Sequence, residues 1–281
     1  MTAPAGGPTT SRAVVLDAGV ATDVGLKRVV NEDSALLSHP IYAVADGMGG
    51  HEAGDKASQA VIAALAPLGG AEDVDPERLA VALQQAQADV ELIADGTQKG
   101  AGSTLTGVAL HLGDTVPHWL VFNVGDSRVY RFRDNGLQQL TVDHSIVQQL
   151  VDDGSLDPSE VATFRGRNVI TRAMGAEDSD ADFWLHPLVT GERLILCSDG
   201  LSGEVDDLGI AGILASTPGA QAAADALVQA ALAGGGRDNV TVIVIEVTAG
   251  GLDAAPEPVG SLEPDDFDGD TVESPGRKGR S

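Results

Sequence analysis

The 281-residue chain has a single cysteine, Cys197. That excludes an internal disulfide and any cysteine-rich zinc site. It has no apolar run of about 18 residues, the length a helix needs to cross a bilayer. Its start, MTAPAGGPTTSR, has no basic stretch followed by an apolar one, so it does not read as a secretory leader. Bases are scarce: 17 Lys and Arg stand against 42 Asp and Glu, a formal net charge of −25. Such a field repels nucleic acid and anionic membranes, and it favours cations and basic or weakly charged partners. The expectation is a soluble, cytoplasmic protein that binds neither nucleic acid nor membrane.

Two phosphate-binding loops are also missing. Gly49 and Gly54 have the glycine spacing of a Walker loop, but Asp55 follows where a lysine is needed. Gly47 and Gly49 begin a dinucleotide loop, but Glu52 takes the place of its third glycine.

What remains is a patterned region, residues 12–249, long enough to bury a sizeable core. A leader over 1–11 is rich in Ala, Gly, Pro and Thr. A tail over 250–281 is acidic, contains prolines and has few large apolar residues, so it reads as disordered. Apolar spacing predicts helices over 55–68 and from Asp75, a cap followed by Pro76, onward to about residue 95. Strands are predicted over 41–45, 103–112, 119–124, 128–133, 137–141, 193–197 and 239–247, with RDNGL as a hairpin turn. A helical stretch over 144–151 opens an insertion reaching to about residue 169, and an Ala-rich helix covers 219–232. Strands joined by hairpins, with helices arriving in pairs, predict an α+β fold. The expected form is a four-layer sandwich of two central antiparallel sheets flanked by helix pairs.

The chemistry is suggested by acids at strand ends. VADGMGGHEAG ends an apolar strand on Asp46 and follows it with three glycines in four residues. LILCSDG ends another on Asp199. Asp238 precedes the last strand, Asp126 sits in a turn between two strands, and Glu32 and Asp33 precede a further strand. Each alone is an ordinary turn residue. Together they could converge on one rim. Carboxylates about 4 to 5 Å apart repel by roughly 3 to 4 kcal/mol per pair at an effective dielectric of about 20. They stay ionised together only with cations. Oxygen donors without clustered His or Cys select Mg²⁺ or Mn²⁺. The glycines would let the backbone, the Gly47 carbonyl among it, approach such an ion.

RVVNED (28–33), DGMGGH (46–51), GSTLT (102–106), VGDSRVY (124–130), TVDHS (141–145), VITRAMG (169–175), CSDGL (197–201) and RDNVTVIVI (237–245) occur in this order. Together they resemble the metal-dependent serine/threonine protein phosphatase family of the 2C type, in its bacterial form. The resemblance spans residues 12–248.

It implies that Asp46 bridges two Mn²⁺ or Mg²⁺ ions, that Gly47 gives a backbone carbonyl to one, and that Asp199 and Asp238 complete the other. Glu32 and Asp33 would hold metal-bound waters. Asp126 would join Asp199 in a third, weaker site, and Arg28 would pair with the substrate phosphate. Residues 145–168 would form the family's mobile flap. The implied reaction is hydrolysis of phosphoserine and phosphothreonine by a metal-bridging water or hydroxide. The partners would be proteins phosphorylated by serine/threonine kinases. Animal members carry a histidine two residues after the bridging aspartate, where this chain has Met48. His51 does not match that position and is given no catalytic role. His144 and Cys197 read as structural. Two other readings stay open: a non-catalytic regulatory or phosphoprotein-binding module on this fold, and a phosphomonoesterase for small molecules.

Overall fold

The computed structural model describes residues 13–49, 53–98, 100–113, 116–166 and 168–253. The leader 1–11, His51 and all but the first four residues of the 250–281 tail lie outside them. One antiparallel sheet runs β1 (Val15–Asp23), β11 (Val240–Ala249), β10 (Arg193–Cys197), β7 (Arg128–Arg133) and β8 (Gly136–Gln139). The second runs β2 (Asp33–Ser38), β3 (Ile41–Gly49), β5 (Leu105–His111), β6 (His118–Val124) and β9 (Asp182–Pro187), with β4 (Ala101–Ser103) paired to the end of β3. Helices α1 (Gly54–Leu65) and α2 (Pro76–Asp95) cover the second sheet. Short α3 (Ile146–Asp152) and α4 (Asp199–Ser202) lie at the loop end, and α5 (Asp207–Ser216) and α6 (Ala220–Gly234) cover the first sheet. The expected four-layer sandwich is the observed one.

Strand alternation sorts the apolar residues into three cores. Ile41, Ala43 and Ala45 face α1 and α2, where Ala57, Val61, Leu65, Leu79 and Leu83 meet them. Tyr42 and Val44 face the other sheet and pack with Trp119, Val121, Leu194, Leu196, Ile243 and Ile245. Ile195, Cys197, Val242 and Val244 point outward under α6. Strands buried on both faces read as unbroken apolar runs, which is why β10 and the start of β11 were legible. Asp75 caps α2, its side chain accepting from the Glu77 and Arg78 N–H groups at 2.8 and 3.4 Å, as its place before Pro76 suggests.

Several elements depart from the sequence reading. The strand expected over 103–112 is two strands separated by Thr104. The hairpin turn lies on Asp134 and Asn135, with φ of 52° and 60°, so Gly136 is already in β8 opposite Arg133. Both turn residues take the left-handed conformation that Asp and Asn tolerate. β1, β9 and α5 were not foreseen. The first two are edge strands of mixed burial, and α5 carries two glycines and no clean apolar stripe. Leu252 exchanges backbone bonds with Leu188 and Thr190, so the packed chain runs past residue 249. Among the described residues no helix is long and apolar enough to cross a membrane.

Gly107 on β5 stands opposite Phe122 on β6, and a Cβ added there would lie inside the Phe122 ring. Gly107→Ala should therefore cost about 1 to 3 kcal/mol by overpacking. Thermal melting should drop by at least about 3 °C. An unchanged melting temperature would mean that the ring moves aside freely.

Candidate metal centre

The layer between the sheets changes character at one end. On β3, Tyr42 and Val44 face inward, and Asp46 is next in that alternation. Opposite Asp46 on β2 stands Asp33. On the other sheet, Ile245 and Ile243 lead to Thr241, and Leu196 leads to Ser198. The Ser198 hydroxyl donates to Asp33 Oδ2 at 2.8 Å and accepts from the Thr241 N–H at 3.0 Å, joining the two sheets where the apolar layer stops. Asp199 follows Ser198 at the start of α4, and Asp238 precedes β11. Asp126 sits in the turn that carries the chain from β6 in one sheet to β7 in the other.

The structure thus brings Asp33, Asp46, Asp126, Asp199 and Asp238 to one mouth, with Glu32 and Gly47 beside them and Arg28 on the rim. Burial raises each of four of these carboxyls, and the neighbouring acids add to it. Asp33, next to Asp199 and Asp238, is pushed up to about 7. Asp126, next to Asp199, also rises to about 7. Asp199 rises to about 6, chiefly by burial, with the Asp238 charge adding to it. Asp46 faces four other acids and rises well above the usual carboxylate range. Asp238 accepts from Arg28 Nη2 at 2.7 Å, and that contact raises the Arg28 guanidinium further.

The glycines have a packing role that the sequence reading did not assign. A Cβ on Gly47 would strike the Gly54 carbonyl, and one on Gly200 would strike the Asn239 carbonyl. These glycines let the strand ends and α1 close on the mouth. The Gly47 N–H donates to the Glu32 carbonyl at 3.1 Å. Met48 packs its side chain over Gly102. Three polar residues of the motifs take structural roles that their types alone do not announce: Ser198, Thr104 and Asn239. Asn239 Oδ1 accepts from the Glu32 N–H at 2.9 Å, and its amide donates to the carbonyls of Val24 and Val30. It ties the 24–32 loop to the start of β11. The one available signal was its place directly after Asp238.

The donor set suits a hard divalent ion. It is all oxygen, and Asp33 Oδ1 and Asp199 Oδ1 are buried without a hydrogen-bond partner among the described residues. No three acid, His or Cys side chains among the described residues are drawn into a ready-made coordination cage. Beside the mouth lies a cleft of 810 Å³, bordered by Asp126, Asp199 and Asp238, by α3, and by the segment between α4 and α5. Arg128 grips Asp143 through Nε and Nη2 on its wall, at 2.9 and 2.6 Å.

Comparison with known proteins points to one family. A profile of the Protein phosphatase 2C family matches residues 29–233. The chain is 40% identical over 243 residues to serine/threonine protein phosphatase PstP of Mycobacterium tuberculosis, covering 83% of this chain and 45% of that protein. It therefore spans about half the length of that relative. It is 34% identical over 251 residues to serine/threonine phosphatase stp of Listeria monocytogenes, covering 83% of this chain and 98% of that one. A crystal structure of the PstP catalytic domain in complex with two manganese ions superposes with a TM-score of 0.76 at 37% identity, covering 84% of this chain and 100% of that chain.

The raised carboxyls make metal-free stability depend on pH. Between the ordinary value of 3.8 and the folded values of about 6 to 7, the folded protein holds protons that the unfolded chain has lost. Stability therefore falls as pH rises across that window, and the contribution is gone above about 7. With chelator, the protein should melt at a higher temperature at pH 5 than at pH 8. Mn²⁺ should raise the melting temperature more at pH 8, where the acids are free to bind it. A chelated protein that is more stable at pH 8 would contradict the assigned proton sharing.

Proposed function

Because the chain belongs to the Protein phosphatase 2C family, we propose that it hydrolyses phosphoserine and phosphothreonine on proteins with Mn²⁺ or Mg²⁺ bound. The observation that carries this reading is the meeting of Asp33, Asp46, Asp199 and Asp238 from both sheets at one mouth with Arg28 at its rim. Asp46 would be shared by two tight ions. Gly47, Asp199 and Asp238 would complete their ligands, and Glu32 and Asp33 would act through bound water. Asp126 and Asp199 would hold a third, weaker ion. Bound there, divalent ions supply Lewis-acid stabilisation of the phosphoryl oxygens and an activated water.

The chain's own residues do the rest. Arg28 is half exposed and held over the acids by Asp238, so an arriving phosphate competes with Asp238 for its fork of donors. The cleft beside the mouth would take the peptide around the phosphoresidue. Position 48 holds no ionisable group. The buried His144 has both ring nitrogens engaged, Nδ1 by the Gly125 N–H at 3.1 Å and Nε2 by Asp182 at 3.2 Å. It is not placed to protonate the leaving alkoxide. Residues 12–249 would form the catalytic domain, with 145–168 as its flap. The substrates would be products of serine/threonine kinases, in the cytoplasm. The lone Cys197, fully buried on β10, is compatible with a reducing compartment.

Phosphate release from a phosphothreonine peptide, with Mn²⁺ and with chelator, tests the activity. Free phosphorylated metabolites run in parallel separate it from a small-molecule esterase, and no turnover of either would favour a binding module. Asp46→Asn should lower kcat by at least about a hundredfold, as losing a strong electrostatic element of a site does. Near-normal turnover at saturating Mn²⁺ would remove Asp46 from the centre. Arg28→Ala should raise KM for the phosphopeptide more than it weakens Mn²⁺ affinity. Unchanged KM and kcat would show that Arg28 only neutralises Asp238.

A further inference from the structure

β3 faces β5 with Val44 opposite Thr106, and it faces β4 with Gly47 opposite Ser103. In that register Asp46 stands opposite Thr104, and there the ladder is interrupted, because β4 ends at Ser103 and β5 begins at Leu105. The Thr104 N–H still donates to the Asp46 carbonyl at 2.8 Å. The return bond is different. The Asp46 N–H donates at 3.1 Å to the Thr104 side-chain hydroxyl instead of to a carbonyl. The same hydroxyl is hydrogen-bonded to Ser127 Oγ at 2.8 Å, in a buried contact. Ser127 directly follows Asp126 in the turn between the sheets. The Thr104 methyl fills the space over Gly125, whose φ is +105° and where a Cβ would come within 2.7 Å of Thr104 Cγ2.

One buried hydroxyl therefore holds the backbone of Asp46 on one sheet and the turn carrying Asp126 between the sheets. Thr104 is 2% exposed and Ser127 is fully buried, so neither reaches substrate. We propose that Thr104 is a positioning residue that sets Asp126 against Asp46, and that its hydroxyl thereby tunes the affinity of the centre for divalent ions. This rests on the phosphatase reading for its effect on turnover, whereas its effect on ion binding stands apart from catalysis.

The test uses the full chain and three variants, T104V, T104S and S127A. Mn²⁺ binding is read by calorimetry, turnover by kcat and KM on a phosphothreonine peptide, and folding by thermal melting. Valine keeps the shape of threonine but leaves the Asp46 N–H without its acceptor and releases Ser127. T104V should weaken Mn²⁺ affinity, and raise the Mn²⁺ needed for half-maximal rate, by about tenfold or more, the usual effect of removing a partner behind a metal ligand. T104S keeps both hydrogen bonds and should stay within about threefold of wild type, below that range. S127A cuts only the Asp126 side and should weaken Mn²⁺ binding in the same direction by less, while melting as a folded protein.

A purely structural Thr104 would lower the melting temperature without moving Mn²⁺ affinity, and that result overturns the proposal. So does a T104S as impaired as T104V, which would assign the effect to the methyl over Gly125. If T104V fails to fold, wild-type Mn²⁺ binding by S127A overturns the proposal on its own. A wild-type chain that binds Mn²⁺ but releases no phosphate overturns the phosphatase reading, and the Mn²⁺ affinities still decide the role of Thr104.

Discussion

Mutual repulsion among carboxylates at the end of the inter-sheet layer is the constraint on which the rest of the structure turns. Asp33, Asp46, Asp126 and Asp199 are all raised by burial first and then by the charge of neighbouring acids, Asp238 among them. A fold bears such a cluster only when protons or cations offset it. The surrounding architecture serves to hold these acids near one another. Two sheets deliver them from opposite sides. Small residues let the strand ends close, and Ser198, Thr104 and Asn239 link the loops across the gap.

The same constraint gives the apolar layers their purpose. Trp119, Ile243, Ile245 and Leu194 fill the space between the sheets and set their separation. The pleat then dictates that the next inward positions, where the apolar layer ends, carry Asp46, Ser198 and Thr241. Core packing and site geometry are consecutive positions on the same strand faces. The helix pairs seal the outer faces and leave the loop end open, where the 810 Å³ cleft adjoins the acids. In the proposed function a phosphorylated segment would approach from that side, with Arg28 on the rim bonded to Asp238.

The net charge of −25 takes on a sharper meaning in this setting. An acidic field draws divalent cations toward the mouth. It also opposes a phosphate dianion, so in the proposed function bound cations and Arg28 would have to reverse the sign of the potential locally before a phosphorylated substrate could settle.

The sequence by itself determined the layers and the identity of the acids. Helical apolar spacing, buried apolar runs, the Asp75 and Pro76 start of α2 and the ordered motifs are local signals, and each survives into the structure because local geometry produces it. It did not reveal β1, β9 or α5, whose apolar pattern is weak because they lie at sheet edges or carry glycines. Their places come from partners such as β11, more than 200 residues from β1 along the chain. Nor did it reveal the interruption at Thr104, since a threonine inside an apolar run looks like any strand residue. Only the tertiary structure decided that its hydroxyl would replace a carbonyl in the ladder, that Gly47 yields space to Gly54, and that Arg28 rests on Asp238. The physical reason is common to all three. Each depends on groups distant in sequence approaching within hydrogen-bond or van der Waals distance, and no pattern along one strand encodes which group will arrive opposite.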